Sequence, residues 1–382
     1  MITNHQYFFL GGTEIFTYTL ASTLKRYGHE VVIYSPYVGD VIAEQTRKLG
    51  IAVVDNINAL AGESFDLIHA HHNVTAIEAR NVFPKTPMLF LSHGVLPFLE
   101  RPPLINLGIS RFLAVSEEVR DNLVACGIPR KKVVVFRNII DTERFKPERP
   151  IRKRPRRALV LSNTITDEKR RVIERACGKL GVAVKFVGRV GKPVWEVERE
   201  INKADIVFSL GRGIMEALSC GRVAVVYDYN GGDGVVTREN IDEIQKCNFS
   251  GRRFRKQYDA GSLAAELRKY SRQLGNEGRE LVLERFSSSR RIGELMGIYE
   301  QVLREKRVGK CDWALVGFLS DAFAVTRQTS LWKVVGDQKV EEMTRMIKSL
   351  RAELNGIYKS RSWRIIGSLR RIKNHLLFAA KR

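Results

Sequence analysis

Residues 206–221 read IVFSLGRGIMEALSCG, which is a short apolar run, a turn with two glycines and a segment that favours a helix. Residues 206–208 have the length and the β-branched composition of a buried strand. Residues 214–219 have the composition of a short helix that begins directly after the turn. This order is typical of an α/β sheet, in which each strand leads through a turn into a helix that packs on the sheet.

The turn in this stretch carries residues that suit a phosphate ligand. At the carboxyl end of a parallel strand, a ligand meets the free amides of the next helix, here around Gly211 and Gly213. Arg212 adds a guanidinium suited to a diphosphate, and Glu216 adds a carboxylate that accepts hydrogen bonds from ribose hydroxyls. The alternative is an ordinary strand–turn–helix unit with a surface arginine and a glutamate that favours the helix dipole. Spacing alone supports both interpretations equally.

The same alternation extends in both directions along the chain. Between about residues 14 and 228, amphipathic helices alternate with short apolar runs rich in β-branched residues, which indicates parallel sheets. The first helix is predicted over about residues 13–27, ending at Gly28, and a last one over residues 287–305. A proline-rich basic stretch interrupts the alternation. We therefore predict two Rossmann-like domains and a tail, with boundaries at 1–147, 148–157 (the linker), 158–308 and 309–382.

The positive charge is unevenly distributed. The chain has 382 residues and a formal net charge of +22, which predicts an anionic partner without naming it. Residues 151–157 hold five basic residues, and residues 359–382 hold eight with no acidic one. These two segments account for much of the net charge, so little of it is left for the two domains. A nucleic-acid binder needs basic residues on its folded surface, so the sequence argues against that class of protein.

The tail has the pattern of a surface-binding helix. Ile365, Leu369, Ile372 and Leu376 form one apolar stripe through the basic stretch. Basic amphipathic helices of this kind bind anionic membranes. We predict that residues 359–382 bind an anionic membrane surface; the alternative is a solvated, frayed terminus. Upstream, residues 340–357 repeat apolar side chains at steps of three and four, which suits either a coiled coil or a helix packed on its own protein.

The composition and short motifs also indicate the cellular compartment and whether a metal ion is bound. Five cysteines without a C-x-x-C pair argue against a disulfide framework and a structural zinc site. The sequence lacks a secretory signal and an apolar run of the roughly 18 residues that a spanning helix needs. His69, His71 and His72 end one predicted strand, but no acidic residue follows at ligand spacing, and D-x-D does not occur. We expect a cytoplasmic protein without a metal or other cofactor.

The start of the first predicted helix is a second candidate for an anion site. Gly11 and Gly12 precede it directly, and small residues let backbone amides approach an anion. A Gly-Gly pair before a helix is more often only a turn, and the pattern differs from the G-x-G-x-x-G of dinucleotide enzymes.

Several short segments carry a family resemblance, in a fixed order over roughly the first 300 residues. They are Gly11-Gly12-Thr13-Glu14, Tyr27-Gly28-His29-Glu30-Val31, Asp66-Leu67-Ile68-His69-Ala70-His71, Ser92-His93-Gly94, Val115-Ser116 with Asn138-Ile139-Ile140-Asp141, and Glu216-Ala217-Leu218-Ser219-Cys220-Gly221-Arg222. With these segments the sequence resembles the family-four retaining glycosyltransferases of GT-B fold.

The resemblance implies two Rossmann domains that face a cleft, a nucleotide-sugar donor held mainly by the second domain, an acceptor held mainly by the first, and no required metal. It implies that Gly11 and Gly12 lie against the donor phosphates or the acceptor, and that His93 lies near the transferred sugar. Glu216 would bind the ribose. The glycine pair Gly231 and Gly232 would lie near the donor.

The sequence departs from the family pattern at three places. Phe208 stands where members usually carry a first glutamate, eight residues before Glu216. The basic residues that usually follow the first strand of the second domain lack a clear equivalent after Leu161, so we expect Arg212 to supply this charge and to act in catalysis with His93. Only four residues precede the first loop, so we expect an incomplete first strand or an internal start.

The function predicted from these observations is that of a metal-independent, hexosyltransferase-like retaining enzyme. It would move a sugar from a nucleoside diphosphate sugar to a lipid-linked or membrane-proximal acceptor, which could be a glycan, on the inner face of the cell membrane. Residues 358–371 are similar to a C-terminal element of bacterial envelope-polysaccharide glycosyltransferases, a class that includes lipopolysaccharide enzymes. The alternative is a non-catalytic GT-B scaffold of an envelope-assembly complex, and nucleic-acid binding ranks last.

Overall fold

The computed structural model describes residues 1–188, 194–305 and 308–327. The chain divides into two compact units, Met1–Ser320 and Asp321–Arg382. All of the helices and strands named below belong to the first unit. The predicted repeat at 340–357 and the predicted membrane-binding helix at 359–382 lie outside the described residues. No helix in the described part of the chain is long and apolar enough to cross a membrane.

The first domain is built on a parallel sheet in which seven described strands take part. Its strands are β1 (Ile2–Thr3), β3 (Val32–Tyr34), β5 (Ala52–Val54), β6 (Ile68–His71), β7 (Met88–Ser92), β8 (Arg111–Ala114) and β9 (Val133–Val135), in the spatial order β5-β3-β1-β6-β7-β8-β9. A separate two-stranded ribbon pairs β2 (Gln6–Tyr7) with β4 (Tyr37–Val38). The helices are α1 (Gly12–Arg26), α2 (Asp40–Arg47), α3 (Asn73–Val82) and α4 (Glu117–Ala125), with 3-10 turns at Ile57–Leu60, Phe98–Glu100 and Arg130–Lys132.

The second domain repeats this architecture with five described strands. These are β10 (Arg157–Leu161), β11 (Ala183–Val187), β12 (Ile206–Ser209), β13 (Val223–Asp228) and β14 (Gly231–Val235), in the order β11-β10-β12-β13-β14, and β14 is antiparallel to β13. Its helices are α5 (Asp167–Gly178), α6 (Val197–Lys203), α7 (Arg212–Ser219), α8 (Ile241–Ile244), α9 (Ala260–Leu267), α10 (Arg272–Arg285) and α11 (Ser288–Arg304), with a 3-10 turn at Gln245–Cys247.

The predicted fold class is therefore confirmed, and the reason is visible in burial. Every residue of β7 and of β12 is buried, as expected of parallel strands with helices on both faces of the sheet. Helix α1 packs Phe16, Leu20 and Leu24 inward. It ends before Gly28, whose φ of 86° is the left-handed conformation that the sequence predicts there.

Phe208 lies in the core of the second domain. The two faces of the sheet carry separate apolar clusters, and Phe208 belongs to the cluster that packs against α5 and α9. Its neighbour Val207 points to the opposite face, toward α7 and α10. A fully buried phenylalanine therefore replaces the glutamate that the family pattern places at this position.

Helix α11 begins beside the second domain and then packs on the first. Its Tyr299 hydroxyl lies 2.6 Å from Nδ1 of His69 in β6, and both side chains are buried. Beyond the helix, Glu305 pairs with Arg111 at 2.6 Å. The predicted boundaries at 147, 157 and 308 stay predictions; helix α11 contacts α10 of the second domain as well as α1 of the first, and its Tyr299 reaches β6.

Candidate active site

Helix α7 carries a buried ion pair at the carboxyl end of β12. Nε of Arg212 donates to Oε1 of Glu216 at 2.7 Å, one helical turn away. Burial raises the pKa of Glu216, and the positive charge of Arg212 opposes that rise. The pair thus fixes the glutamate carboxylate that the sequence predicts for the donor ribose.

Arg212 also joins the two domains. Its Nη1 donates to the carbonyl of Ile139 at 2.7 Å, and its Nη2 donates to Oγ1 of Thr19 in α1 at 2.9 Å. A guanidinium has five N–H groups, so these three bonds leave two of them unused. The predicted role of Arg212 on a diphosphate stays a prediction, and the structure adds a cross-cleft role that the sequence did not indicate.

The two glycines before and within α7 are required by their surroundings. Gly211 has a φ of 54°, which favours glycine, and its amide donates to the carbonyl of Phe249 at 2.9 Å. A Cβ on Gly213 would overlap the hydroxyl of Ser209. The amide of Ile214 is bonded to the carbonyl of Gly211 at 3.2 Å. The amides of Arg212 and Gly213 are therefore the best candidates to meet a ligand at this helix terminus.

His93 follows β7 in the first domain and belongs to a histidine cluster. Its Nε2 lies 3.2 Å from Nδ1 of His71, and its amide donates to Oε2 of Glu100 at 2.5 Å. Burial lowers the pKa of His93 to about 4, and Glu100 opposes this while His72 and Arg212 add to it. His93 is therefore neutral at pH 7, which suits hydrogen bonding to a sugar hydroxyl.

Glu100 ties together the loops that surround His93. Its Oε1 lies 3.3 Å from Nε2 of His72, a residue with the unusual φ of 66° at the start of α3. Burial raises the pKa of Glu100, but the contacts with His72 and His93 outweigh it, so that the pKa lies below its usual value. No pattern in the sequence indicates Glu100, because its partners are seven and 28 residues away.

Whether the protein binds a metal ion depends on the arrangement of the side chains that could be its ligands. In the described residues, no group of three or more histidine, cysteine, aspartate or glutamate side chains is arranged to hold a metal ion. His69, His71 and His72 do lie together at the end of β6, as their sequence positions imply. Their contacts are with protein groups: Tyr299 for His69, Thr17 for His71 and Glu100 for His72.

Gly11 and Gly12 begin α1, but a side chain of the same helix covers this terminus. A Cβ built on Gly11 would lie 2.5 Å from Oε2 of Glu14, so the carboxylate folds back over the first turn. Burial raises the pKa of Glu14 to about 7. The predicted phosphate contact of the glycine pair stays a prediction, and it now requires Glu14 to move or to share the space.

Gly231 and Gly232 lie in strand β14 rather than in a loop. A Cβ on Gly232 would overlap the carbonyl oxygen of Val226 in the neighbouring strand. Gly231 has a φ of 85°, and a Cβ on it would overlap the side chain of Gln257. Close backbone packing explains both glycines without a ligand. Their predicted contact with the donor stays a prediction.

Two further contacts cross between the domains beside α7. The side chains of Asn138 and Asn248 are joined by a hydrogen bond of 2.7 Å. Arg252 donates to both carboxylate oxygens of Glu118 in α4, at 2.9 and 2.6 Å. Sequence reasoning missed these side chains, since each partner lies more than 100 residues from the other.

A family model matches the part of the chain that contains the histidine cluster. Residues 10–144 match the model of Glycosyltransferase Family 4. A search of curated proteins finds no match. The matched segment contains α1, the histidine cluster and Ile139, which binds Arg212.

Solved structures match over nearly their whole length. A glycosyltransferase from Rickettsia africae is 16% identical with a TM-score of 0.57, covering 79% of this chain and 98% of its own. Anabaena Alr3699/HepE in complex with UDP-glucose is 13% identical with a TM-score of 0.56, covering 78% of this chain and 98% of its own. At these identities the likeness concerns the fold. Residues 10–144 are thus similar to Glycosyltransferase Family 4, and the chain shares the GT-B fold of these solved glycosyltransferases.

Proposed function

We propose that this chain is a retaining glycosyltransferase that transfers a sugar from a nucleoside diphosphate sugar to a lipid-linked or membrane-proximal acceptor in cell-envelope polysaccharide synthesis. The observation that carries the proposal is the contact that Arg212 of α7 makes with the first domain. Arg212 pairs with Glu216 and donates to Thr19 in α1, and its charge is one of the causes that lower the pKa of His93. The carboxyl ends of parallel strands, which α7 and His93 follow, are where α/β sheets bind ligands. The Anabaena HepE structures hold UDP-glucose, and UDP with glucose, in the same fold.

The second domain would hold the departing nucleotide. The amides of Arg212 and Gly213, with the two free N–H groups of Arg212, would stabilise the charge that develops on the diphosphate. Glu216 would accept hydrogen bonds from the ribose hydroxyls, and its ion pair with Arg212 keeps the carboxylate in position. No step of this proposal requires a metal.

The first domain would hold the sugar and the acceptor. Neutral His93 would contact the transferred sugar. The departing phosphate would accept the proton of the incoming hydroxyl on the same face of the sugar, which gives retention of configuration. We assign no protein group as general base. The buried Phe208 in place of the first family glutamate motivates the alternative of a scaffold that binds a donor without turnover.

A thermal-shift screen with nucleotide sugars tests the donor class, because a ligand that binds only the folded state raises the melting temperature. The best ligand then enters a transfer assay with lipid-linked acceptors. Transfer would establish the activity, and anomeric analysis of the product would establish retention. Tight binding without transfer to any acceptor, and without hydrolysis of the donor, would favour the scaffold.

Glu216→Gln tests the donor site. Glutamine keeps the shape and can still accept the Arg212 hydrogen bond, so we expect a folded protein. Loss of a charge-assisted hydrogen bond costs about 1.5–3 kcal/mol, which predicts a donor affinity about 10- to 100-fold weaker by calorimetry. Glu174→Gln is the control, since Glu174 makes an exposed pair with Arg170 at the same spacing in α5. Equal donor affinity of Glu216→Gln and the wild type would show that the site is misplaced.

A further inference from the structure

Two adjacent segments of the first unit expose large apolar side chains. The segments are the loop 93–106, which follows β7, and the helical residues 313–320. Each of the exposed side chains shows between 48% and 83% of its surface to solvent: Leu96, Phe98, Leu104, Trp313, Leu315 and Phe318. A single exposed apolar side chain is ordinary, but a group of them marks an interaction surface. We call these six side chains the apolar face.

Backbone contacts hold the two segments side by side. Leu107, directly after the loop, forms an antiparallel bridge with Cys311. The amide of Asp312 donates to the carbonyl of Asn106 at 3.0 Å. The end of the loop and the start of the helical residues are therefore neighbours.

Both segments also contact α3, eight residues apart. The side chain of Asn73 donates to the carbonyl of Phe98 at 2.9 Å, and the side chain of Asn81 donates to Oγ of Ser320 at 3.4 Å. Eight residues of an α-helix span about 12 Å, so the apolar face extends over a limited area. Residues 73–80 of α3 are all buried, as expected of a helix that these two segments cover.

The helical residues 313–320 have no polar side to turn toward water. They read WALVGFLS, without a charged side chain. Val316 is fully buried, whereas Trp313, Leu315 and Phe318 are exposed. A helix that is apolar on all sides is normally covered on all sides, by protein or by lipid. Within the described part of the chain, protein covers the side of Val316 only.

The charges around the apolar face favour an anionic surface as its partner. Glu100 is the one acidic residue of the loop 93–106, and its carboxylate is buried in the histidine cluster. The exposed Arg101 lies in the same loop, and the exposed Lys310 precedes the helical residues. The carboxylate of Asp312 accepts a backbone amide of the loop at 3.1 Å. Apolar and aromatic side chains beside basic residues suit the interface of an anionic membrane.

From these observations we infer that the apolar face binds the surface of an anionic lipid bilayer. This inference rests on the proposed membrane-proximal acceptor, and it states which side of the enzyme faces the membrane. The loop that carries Leu96 and Phe98 begins at His93, and Glu100 within the loop accepts the amide of His93 at 2.5 Å. A bilayer that binds this loop is therefore beside the residue proposed to contact the transferred sugar. A lipid surface also accommodates a loop and a helix together without a matching shape.

Cosedimentation of the full-length chain with vesicles of equal parts phosphatidylserine and phosphatidylcholine tests this inference. The test variant is Leu96→Gln with Leu104→Gln. Transfer of a leucine side chain from water to apolar surroundings corresponds to a factor of about ten or more in affinity, so we expect vesicle binding at least about tenfold weaker. The control variant is Leu49→Gln with Leu283→Gln, which changes two leucines that are exposed elsewhere. We expect less than about a twofold change in the control.

Salt and hydrogen exchange separate this contact from the predicted contact of residues 359–382. About 1 M salt screens the contacts of basic residues, so the difference between the wild type and the test variant should persist at that salt concentration. In the vesicle-bound wild type, amides of residues 94–106 should exchange more slowly than in the free chain. The test variant should lose this slowing, while its melting temperature without vesicles should equal that of the wild type.

Four results would overturn the inference. The first is no vesicle binding by the wild type, or none that persists at about 1 M salt. The second is equal binding by the wild type and the test variant, with the same exchange over residues 94–106. The third is equal weakening by the test and control variants, which would indicate a general effect of surface apolarity. The fourth is a dimer that the test variant dissociates without a change in vesicle binding, which would assign the apolar face to a second copy of the chain.

The outcome is independent of whether the chain transfers a sugar, because vesicle binding requires neither donor nor turnover. Vesicle binding that depends on Leu96 and Leu104, without transfer to any acceptor, would contradict the proposed function alone. Transfer to a short soluble acceptor, without vesicle binding, would contradict this inference alone.

Discussion

Glu14 is the residue whose charge state the tertiary structure changes most clearly. Burial raises its pKa from 4.5 to about 7, a repulsion from Glu100 adds to the rise, and His72 opposes it. Between these two values the folded chain holds a proton that the unfolded chain has lost. The group therefore lowers the free energy of unfolding as pH rises through this interval, and has no effect well below pH 4.5.

Glu14→Gln should remove this pH dependence. Relative to the wild type, the variant should gain about 2 kcal/mol of unfolding free energy between pH 5 and pH 8, since one pKa unit corresponds to about 1.4 kcal/mol. Urea unfolding at a series of pH values measures it. Glu30→Gln, at an exposed position before β3, is the matched control. A constant difference between Glu14→Gln and the wild type would show that Glu14 titrates normally.

The residues of the candidate site differ in how readily the sequence alone identifies them. Glu216 was predicted from the strand–turn–helix unit that carries it, and His93 was predicted from the family resemblance of Ser92-His93-Gly94. Glu100 and Thr19 were not, since their roles depend on partners far away in the chain. Arg212 was predicted for its charge, but its hydrogen bonds to Thr19 and Ile139 depend on how the domains meet.

At the scale of elements, two glycines have contrasting surroundings: one is closely packed, and the other has open space beside it. Gly232 in β14 lies against the backbone of Val226 and Tyr227, where the two strands are irregularly paired. A Cβ added to Gly293 in α11 would meet no atom of the described residues within 4 Å, apart from the backbone of its own helix, so the space beside it is open. The same substitution should therefore have opposite effects at the two positions.

Gly293→Ala should raise the free energy of unfolding by about 0.5–1 kcal/mol, because alanine loses less backbone entropy in a helix. Gly232→Ala should lower it by at least about 2 kcal/mol, because the methyl group overlaps a carbonyl that the sheet holds in place. Chemical denaturation of both variants gives the comparison. A neutral Gly232→Ala would mean that β13 and β14 can separate locally without cost.

Most elements were predictable, and the misses have a common cause. The parallel strands are continuous apolar runs, so composition locates them even though both faces are buried. Strand β14 reads GGDGV, which has turn residues and no apolar pattern, and it exists because β13 offers it a partner. Helix α11 was predicted as an element, but its packing against β6 through Tyr299 was not.

At the scale of the molecule, much of the positive charge is concentrated in residues 151–157 and 359–382. The sequence places eight basic residues and an apolar stripe in residues 359–382, and we propose that they attach the enzyme to the inner face of an anionic membrane. Each basic residue near such a surface contributes about 1 kcal/mol. The expectation concerns binding and rests on the sequence alone.

Replacing Arg370, Arg371 and Lys373 together by glutamine in the full-length chain should weaken binding to phosphatidylserine vesicles by about two orders of magnitude. Vesicle cosedimentation at low and at physiological salt measures it. A second triple variant, Lys48, Lys146 and Lys203 to glutamine, removes the same net charge from exposed positions on the domains. Equal weakening by both variants would attribute the binding to total charge, which would contradict a membrane-binding tail.

The sequence by itself determined the alternation of strands and helices, the two Rossmann-like domains and the family resemblance, because these depend on local composition and on short segments in order. Only the tertiary structure decided which groups meet across the cleft. It paired Arg212 with Thr19 and Ile139, and it laid Glu14 over the first turn of α1. Such contacts join residues distant in the chain, and burial then sets their charge and their bonding capacity.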